Sequence, residues 1–317
     1  MAGADTMGSQ PETVFALRRQ ARLVRIDRAT AALMDAMTTA GLRSMVLKGP
    51  TTARLLFPGE ERVYSDIDLL VEPGALDAAE EVANSLGFRP RPAPNGRLKA
   101  FLWRALEAEE RTFDRDRDEV TLDLHRSFHQ FRVNFNLLEA LWPNREEMPL
   151  AHSSVVVPDI VSIVLLTVLH ATGANHPRSN RTRLLDDLDR TLKTVSDDVW
   201  HGLRARAHAL GVAPDVVAVL RECGGAQGTR IADTAFAGIN ADRVVVAHLR
   251  TGSLAAYQLR RIRMFSWPQR LLWCLMPLAP RLRPTASVSS HAPAAGSGSR
   301  WWLAKDVWSL VRVAITG

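Results

Sequence analysis

The amino-acid sequence predicts an α/β (α+β) fold, with a small mixed sheet and its helices first and a mostly helical domain after it. Three observations predict this. Apolar residues recur at helical spacing over 14–40. The period then shortens to brief apolar runs bounded by glycine and proline, at 44–47, 65–71 and 120–125, the pattern of strands and turns. Beyond about residue 136 the spacing is again mostly helical. A chain of 317 residues is long for one core, so two subdomains are expected.

Residues 1–12 read as a disordered tail. In the helix that follows, Val14, Leu17, Ala21 and Val24 form one stripe, Ile26, Leu33 and Met37 continue the pattern on a neighbouring face, and Gly41 stops it. The strand at 44–47 runs into the tight turn Lys48-Gly49-Pro50. A short helix at 51–57 then ends at Pro58-Gly59. The second strand is Ser65-Asp66-Ile67-Asp68-Leu69-Leu70-Val71. Pro73-Gly74 turns the chain into an amphipathic helix at 75–86, stopped by Gly87, and 88–94 is extended. The charged run Asp114-Arg115-Asp116-Arg117-Asp118 reads as a hairpin tip between 111–113 and the strand at 120–125.

These elements make a first domain over 13–150, with a boundary at 149–158. Helices at 159–171, 181–195, 197–210 and 214–223 make a helical domain over 151–283. Residues 284–299, rich in proline, serine, alanine and glycine, read as a flexible linker, and 300–317 as a C-terminal amphipathic helix.

Composition narrows the classes. A hydrophobic fraction of 46% and a charged fraction of 23% are those of a globular protein and exclude wholesale disorder. Cys223 and Cys274 are far apart and outside any Cys/His cluster, which argues against a zinc site or disulfide framework and favours a reducing, cytoplasmic setting. No signal peptide opens the chain, and the apolar stretch at 160–169 is too short to span a bilayer. The formal net charge of +6 permits an anionic substrate and leaves nucleic acid open as a partner without requiring it.

The chemistry concentrates at Asp66 and Asp68. Two apart on a strand, they point to the same face. Paired carboxylates disfavour double ionisation unless a cation lies between them, and hard oxygen ligands suit Mg²⁺ or Mn²⁺. A lone Asp-x-Asp pair usually marks a solvated turn. Here it leads into Leu69-Leu70-Val71, a strand–glycine–helix element precedes it, and Asp123 lies in a later apolar strand. If Leu122 and Leu124 face the core, Asp123 faces away from it, where it completes a two-metal carboxylate set, catalytic and metal-binding at once. Gly49 either lets the backbone approach a phosphate or serves only the turn. Lys48 either reaches a triphosphate or lies along the surface, and Arg62 either balances phosphate charge or is a surface arginine. His125 shares the face of Asp123 and either orients a phosphate or the acceptor, or is a buried core histidine. His170 reads as a helix-end residue, and Asp186, Asp187 and Asp189 as helix surface.

The combination of Leu47-Lys48-Gly49-Pro50, Arg62, the strand from Ser65 to Val71, the helix ending at Gly87-Phe88, and Leu122-Asp123-Leu124-His125 resembles the bacterial uncharacterised nucleotidyltransferase family of the polymerase-β-like superfamily. The strong likeness covers 42–126, with a weaker continuation to about 195 through Leu165–His170 and Arg183-Leu184-Leu185-Asp186-Asp187-Leu188. The resemblance implies a nucleotidyltransferase-like domain with Asp66, Asp68 and Asp123 as metal ligands and Gly49 in the triphosphate turn. The expected nucleotide-binding set is Lys48, Gly49, Arg62, Ser65 and His125. One position departs: the superfamily has Gly-Ser or Gly-Gly where this chain has Gly49-Pro50. Pro50 removes a backbone donor and a hydroxyl and leaves Lys48 or Arg62 to compensate.

The expected activity is metal-dependent transfer of a nucleotidyl group from a nucleoside triphosphate to an unknown acceptor, a small molecule, peptide or polymer. The alternatives are a non-catalytic nucleotide- or partner-binding protein of the same fold and a toxin-like transferase that modifies RNA. Tryptophans and arginines mixed over 257–283 and 301–312 offer a surface for a protein partner or a peripheral membrane contact.

Overall fold

The structure, a computed structural model, describes residues 10–59, 62–91, 110–128, 130–131, 135–173, 181–265, 267 and 270. The linker at 284–299, the C-terminal helix at 300–317 and Cys274 lie outside the described residues, as do most of the expected tail and of the tryptophan-containing segment.

Five strands form one mixed sheet in the order β1 (Ser44–Val46), β2 (Asp66–Val71), β5 (Val120–His125), β4 (Glu110–Arg115), β3 (Arg89–Pro90). β2 and β5 run parallel, and every other pairing in this sheet is antiparallel. A parallel pair needs a crossover, and the chain between β2 and β5 includes helix α3 (Leu76–Ser85) and the strands β3 and β4. The expected hairpin tip is a turn between β4 and β5. There Arg115 grips Asp118 through two hydrogen bonds of 2.9 and 2.7 Å and lies over the Phe88 ring.

The alternation of β2 and β5 divides the sheet into two unlike faces. Ile67, Leu69, Val71, Val120, Leu122 and Leu124 pack with α3 and with α1 (Gln10–Thr39), which contributes Ile26, Leu33 and Met37. Helix α1 begins at Gln10, inside the segment expected as a tail, and Val14, Phe15 and Leu17 are exposed near its start. On the opposite face Leu70, with Met45 and Leu47 of the β1 arm, packs with the helical half in a second core.

An antiparallel hairpin, β6 (Arg145–Leu150) and β7 (Ser153–Pro158), stands where the sequence places a domain boundary and a helical run. Its alternation is hidden because only Met148 and Leu150 of β6 are buried while Glu146 and Glu147 are exposed. Met148 and Leu150 join Val155 and Val157 of β7 on the α1 side of the molecule.

The helices that follow match the expected ones closely: after the short α2 (Pro50–Leu56) and α4 (Leu137–Leu141) come α5 (Ile160–His170), α6 (Arg181–Thr194), α7 (Asp197–Ala209) and α8 (Ala213–Cys223). Helix α5 is apolar nearly all round and runs through the second core, as such a composition requires. Asp159 caps its start by accepting from the Ser162 amide at 3.1 Å and is held in place by Arg206. Beyond lie α9 (Gly225–Thr234), α10 (Arg243–Thr251) and α11 (Leu254–Met264), the last tied to α8 by a buried Arg260–Asp215 ion pair. Among the described residues no helix is long and apolar enough to cross a membrane.

Candidate active site

The polar face of β2 and β5 opens into a cavity of about 350 Å³ roofed by α5 and α6. The parallel register places Asp66 beside Thr121 and Asp68 beside Asp123. Asp66, Asp68, Asp123 and His125 all line the cavity because they occupy the positions that alternate with the core-facing Ile67, Leu69, Leu122 and Leu124. From β4, Glu110 pairs in register with His125 and lines the same cavity. The opposite wall is apolar at Leu166, Leu169 and Leu184 and polar at His170, Arg183 and Asp187.

Asp68 is the centre of this arrangement. It is 8% exposed, and its Oδ1 accepts from Lys48 Nζ at 3.2 Å and lies 3.0 Å from His125 Nε2. Burial opposes its ionisation, but Lys48 and His125 outweigh burial and hold its carboxyl well below the usual carboxylate range. His125 is pushed the other way from the ordinary imidazole. Burial opposes its protonation, yet the charges of Glu110 and Asp68 raise its pKa. Its Nδ1 lies 3.5 Å from Glu110 Oε2. Asp123 is pushed up to about 6, first by burial and then by the neighbouring charges of Glu110 and Asp68, with His125 and a Thr112 hydrogen bond acting against them. Burial and Lys48 keep His170 well below the ordinary histidine value, so it is neutral.

Lys48 is thus neither surface nor free. It bridges Asp68 and the ring of Phe128, whose centroid is 5.1 Å away. Arg62 is not a surface arginine either. Its Nε and Nη2 donate to Asp187 Oδ1 and Oδ2 at 2.9 and 2.6 Å, and both partners are buried. Asp187, expected on the helix surface, therefore faces inward. It lies one turn after Leu184 and before Thr191 on the buried stripe of α6, which is the signal the sequence carried. Asp186 and Asp189 stay off that stripe.

Gly49 and Ser65 flank the cavity without lining it. Gly49 has φ 65° and ψ −112°, a conformation that disfavours any side chain, and an added Cβ would stand 3.3 Å from the Tyr64 ring. The turn itself accounts for the glycine. Ser65 Oγ donates to Asp66 Oδ1 at 3.3 Å. Sequence reasoning missed Glu110, which enters the site through strand register alone, and assigned His170 to a helix end without seeing that this end closes the cavity.

The residues that could serve a divalent cation are the hard oxygen donors Asp66, Asp68 and Asp123. Asp66, Asp68, Glu110, Asp123 and Asp187 against Lys48, Arg62 and Arg183 leave two negative charges around the cavity, and the crowding that raises Asp123 is what a bound cation relieves. As the side chains stand, no three His, Cys, Asp or Glu residues converge closely enough to hold a metal among the described residues.

Carboxylates paired across parallel strands line this cavity beneath a helical roof. The chain belongs to the family described as uncharacterised nucleotidyltransferases, which matches residues 11–224. No curated protein matches it. Among solved structures, an antigenic nucleotidyltransferase-like protein from Paracoccidioides brasiliensis is similar over 70% of this chain and 96% of its own, at 10% identity and a TM-score of 0.37. A likeness that weak carries no argument about this site.

Proposed function

We propose that this protein transfers a nucleotidyl group from a nucleoside triphosphate to an acceptor hydroxyl or phosphate, with Asp66, Asp68 and Asp123 holding Mg²⁺ or Mn²⁺. The observation that carries the reading is the parallel register that sets Asp68 beside Asp123, with Asp66 two residues away on the same face of one cavity. A divalent ion bound there supplies charge neutralisation on the triphosphate. The chain's own residues do the rest by positioning and fixed charge. Lys48 and His125 keep Asp68 ionised so that it is ready as a ligand. Lys48, Arg62 and His125 are the cationic or proton-bearing groups placed to meet phosphate oxygens. Leu166, Leu169 and Leu184 give that end of the cavity an apolar wall. The acceptor class follows from the chemistry alone: a nucleophilic oxygen attacks the α-phosphorus and pyrophosphate leaves.

The test is to incubate the protein with each labelled ribonucleoside triphosphate, Mg²⁺ or Mn²⁺, and a cell extract. Label should enter one class of extract component and fail to enter it with Asp66→Asn plus Asp68→Asn. Label that persists in the double variant overturns the assignment of these ligands. One observation favours a second reading, a nucleotide-binding protein without catalysis: Lys48 and His125 already occupy Asp68, in a site whose turn has Pro50 in place of a donor. Tight triphosphate binding with no transfer to any component would decide for it.

A further inference from the structure

We infer that Asp187 is a positioning residue: it clamps two nitrogens of Arg62 so that the third is held for an oxyanion of the substrate at the seam between sheet and helical roof. The inference rests on the reading of this cavity as a triphosphate site.

Arg62 comes from the loop before β2, and Asp187 from α6, 125 positions later. Arg62 is 9% exposed and Asp187 8%, and both line the cavity. A planar guanidinium held through Nε and Nη2 on one carboxylate has a fixed orientation. The ring of Phe57, 5.7 Å from the guanidinium carbon, supports it further. Its remaining nitrogen, Nη1, is buried and has no hydrogen-bond partner. A buried donor left unmet is destabilising, so such a group calls for an explanation. Arg115, clamped on Asp118 in the same way, also has an unmet Nη1, but at a hairpin tip; Arg62 differs in lining the cavity together with Lys48, Asp66 and Asp68. A donor kept open beside Lys48 and the carboxylates of β2 gains its partner when an anion enters. Because the clamp spans the two halves of the molecule, an oxyanion on Nη1 also ties the sheet to the roof.

Four full-length proteins test this: wild type, Asp187→Asn, Arg62→Lys, and the double variant Arg62→Met with Asp187→Leu. The probes are each of the four ribonucleoside triphosphates with Mn²⁺, followed by calorimetry, and Mn²⁺ alone, followed by its paramagnetic resonance. Asp187→Asn loses the bidentate clamp and leaves Arg62 mobile. Arg62→Lys keeps the charge but cannot form the fork. Both should weaken triphosphate binding about ten- to a hundredfold, with binding of Mn²⁺ alone retained. Apolar replacement of both partners of a buried pair often restores stability, so the double variant should melt at or above the single variants and still bind triphosphate poorly. Wild-type triphosphate affinity in the double variant, or in Arg62→Lys, overturns the inference while leaving the nucleotide reading intact. A wild type that binds Mn²⁺ and no triphosphate overturns both.

Discussion

The two faces of strands β2 and β5 are made from alternate residues of the same short segments, yet they do opposite things. Ile67, Leu69, Leu122 and Leu124 are almost wholly buried against α1 and α3. Asp66, Asp68, Asp123 and His125, one position away in each case, surround a charged cavity. The closed face stabilises the sheet by burial, and the open face accumulates like charges that the closed face must support. The two faces should therefore respond differently to substitution, position by position along one strand.

The largest expected effect lies on the closed face. Leu122→Ala empties a fully buried site and should cost about 2–5 kcal/mol in urea denaturation. Metal-nucleotide affinity of the fraction still folded should hardly change, and a variant that kept its stability but lost binding would break the separation. The matching change on the open face, Asp66→Asn plus Asp68→Asn, should weaken Mn²⁺-nucleotide binding by at least about a hundredfold in calorimetry. It should also remove an acid-sensitive part of the stability. The folded pKa of Asp68 is depressed, so its contribution is present above the ordinary carboxylate value and is lost as pH falls below it. Acid titrations of both proteins should show that loss only in the wild type.

Gly49 sharpens the comparison because it adjoins the cavity while its constraint comes from Tyr64, a residue of the closed core. Gly49→Ala should cost about 2 kcal/mol of stability and leave triphosphate affinity within a few-fold of wild type. A large affinity loss in a stable Gly49→Ala protein would return the turn to the phosphate-binding surface. The smallest effect should be a gain. Asp123 has its pKa raised to about 6, so its ionisation opposes folding, and stability falls as pH climbs from the ordinary carboxylate value through 6. Asp123→Asn should therefore be more stable than wild type by about 1 kcal/mol at pH 7.5, a gain that shrinks as the pH is lowered toward 4. Equal stabilities at both pH values would mean that the carboxylates of the open face do not strain it.

The same alternation decides what could be read from the sequence. Asp66, Asp68, Asp123 and His125 were legible because strand periodicity alone assigns them a common side once the leucines are taken as core. Partners across the fold were not. Glu110 reaches the site by its pairing with His125, and no local pattern announces a register. Asp187 carried a signal, a carboxylate on the apolar stripe of α6, that its acidic neighbours Asp186 and Asp189 obscured. The β6–β7 hairpin was hidden by exposed glutamates on one strand. Arg62 was visible as a candidate, while the carboxylate that orients it lies 125 positions away.

The parallel pairing of β2 with β5 has a consequence for the protein's birth. A chain made from its N-terminus exposes Asp66–Val71 before the strand that will cover its open edge has been synthesised, and non-local pairings of this kind form slowly. Leu69-Leu70-Val71, with β1 on one side and nothing on the other, is the sort of edge that recruits a second nascent chain. Asp66 and Asp68 flank that run with charge on its N-terminal side, the position of gatekeeper residues beside aggregation-prone strands. If the two aspartates guard the nascent chain in this way, their conversion to asparagine should lower the yield of soluble protein even where the finished fold tolerates it.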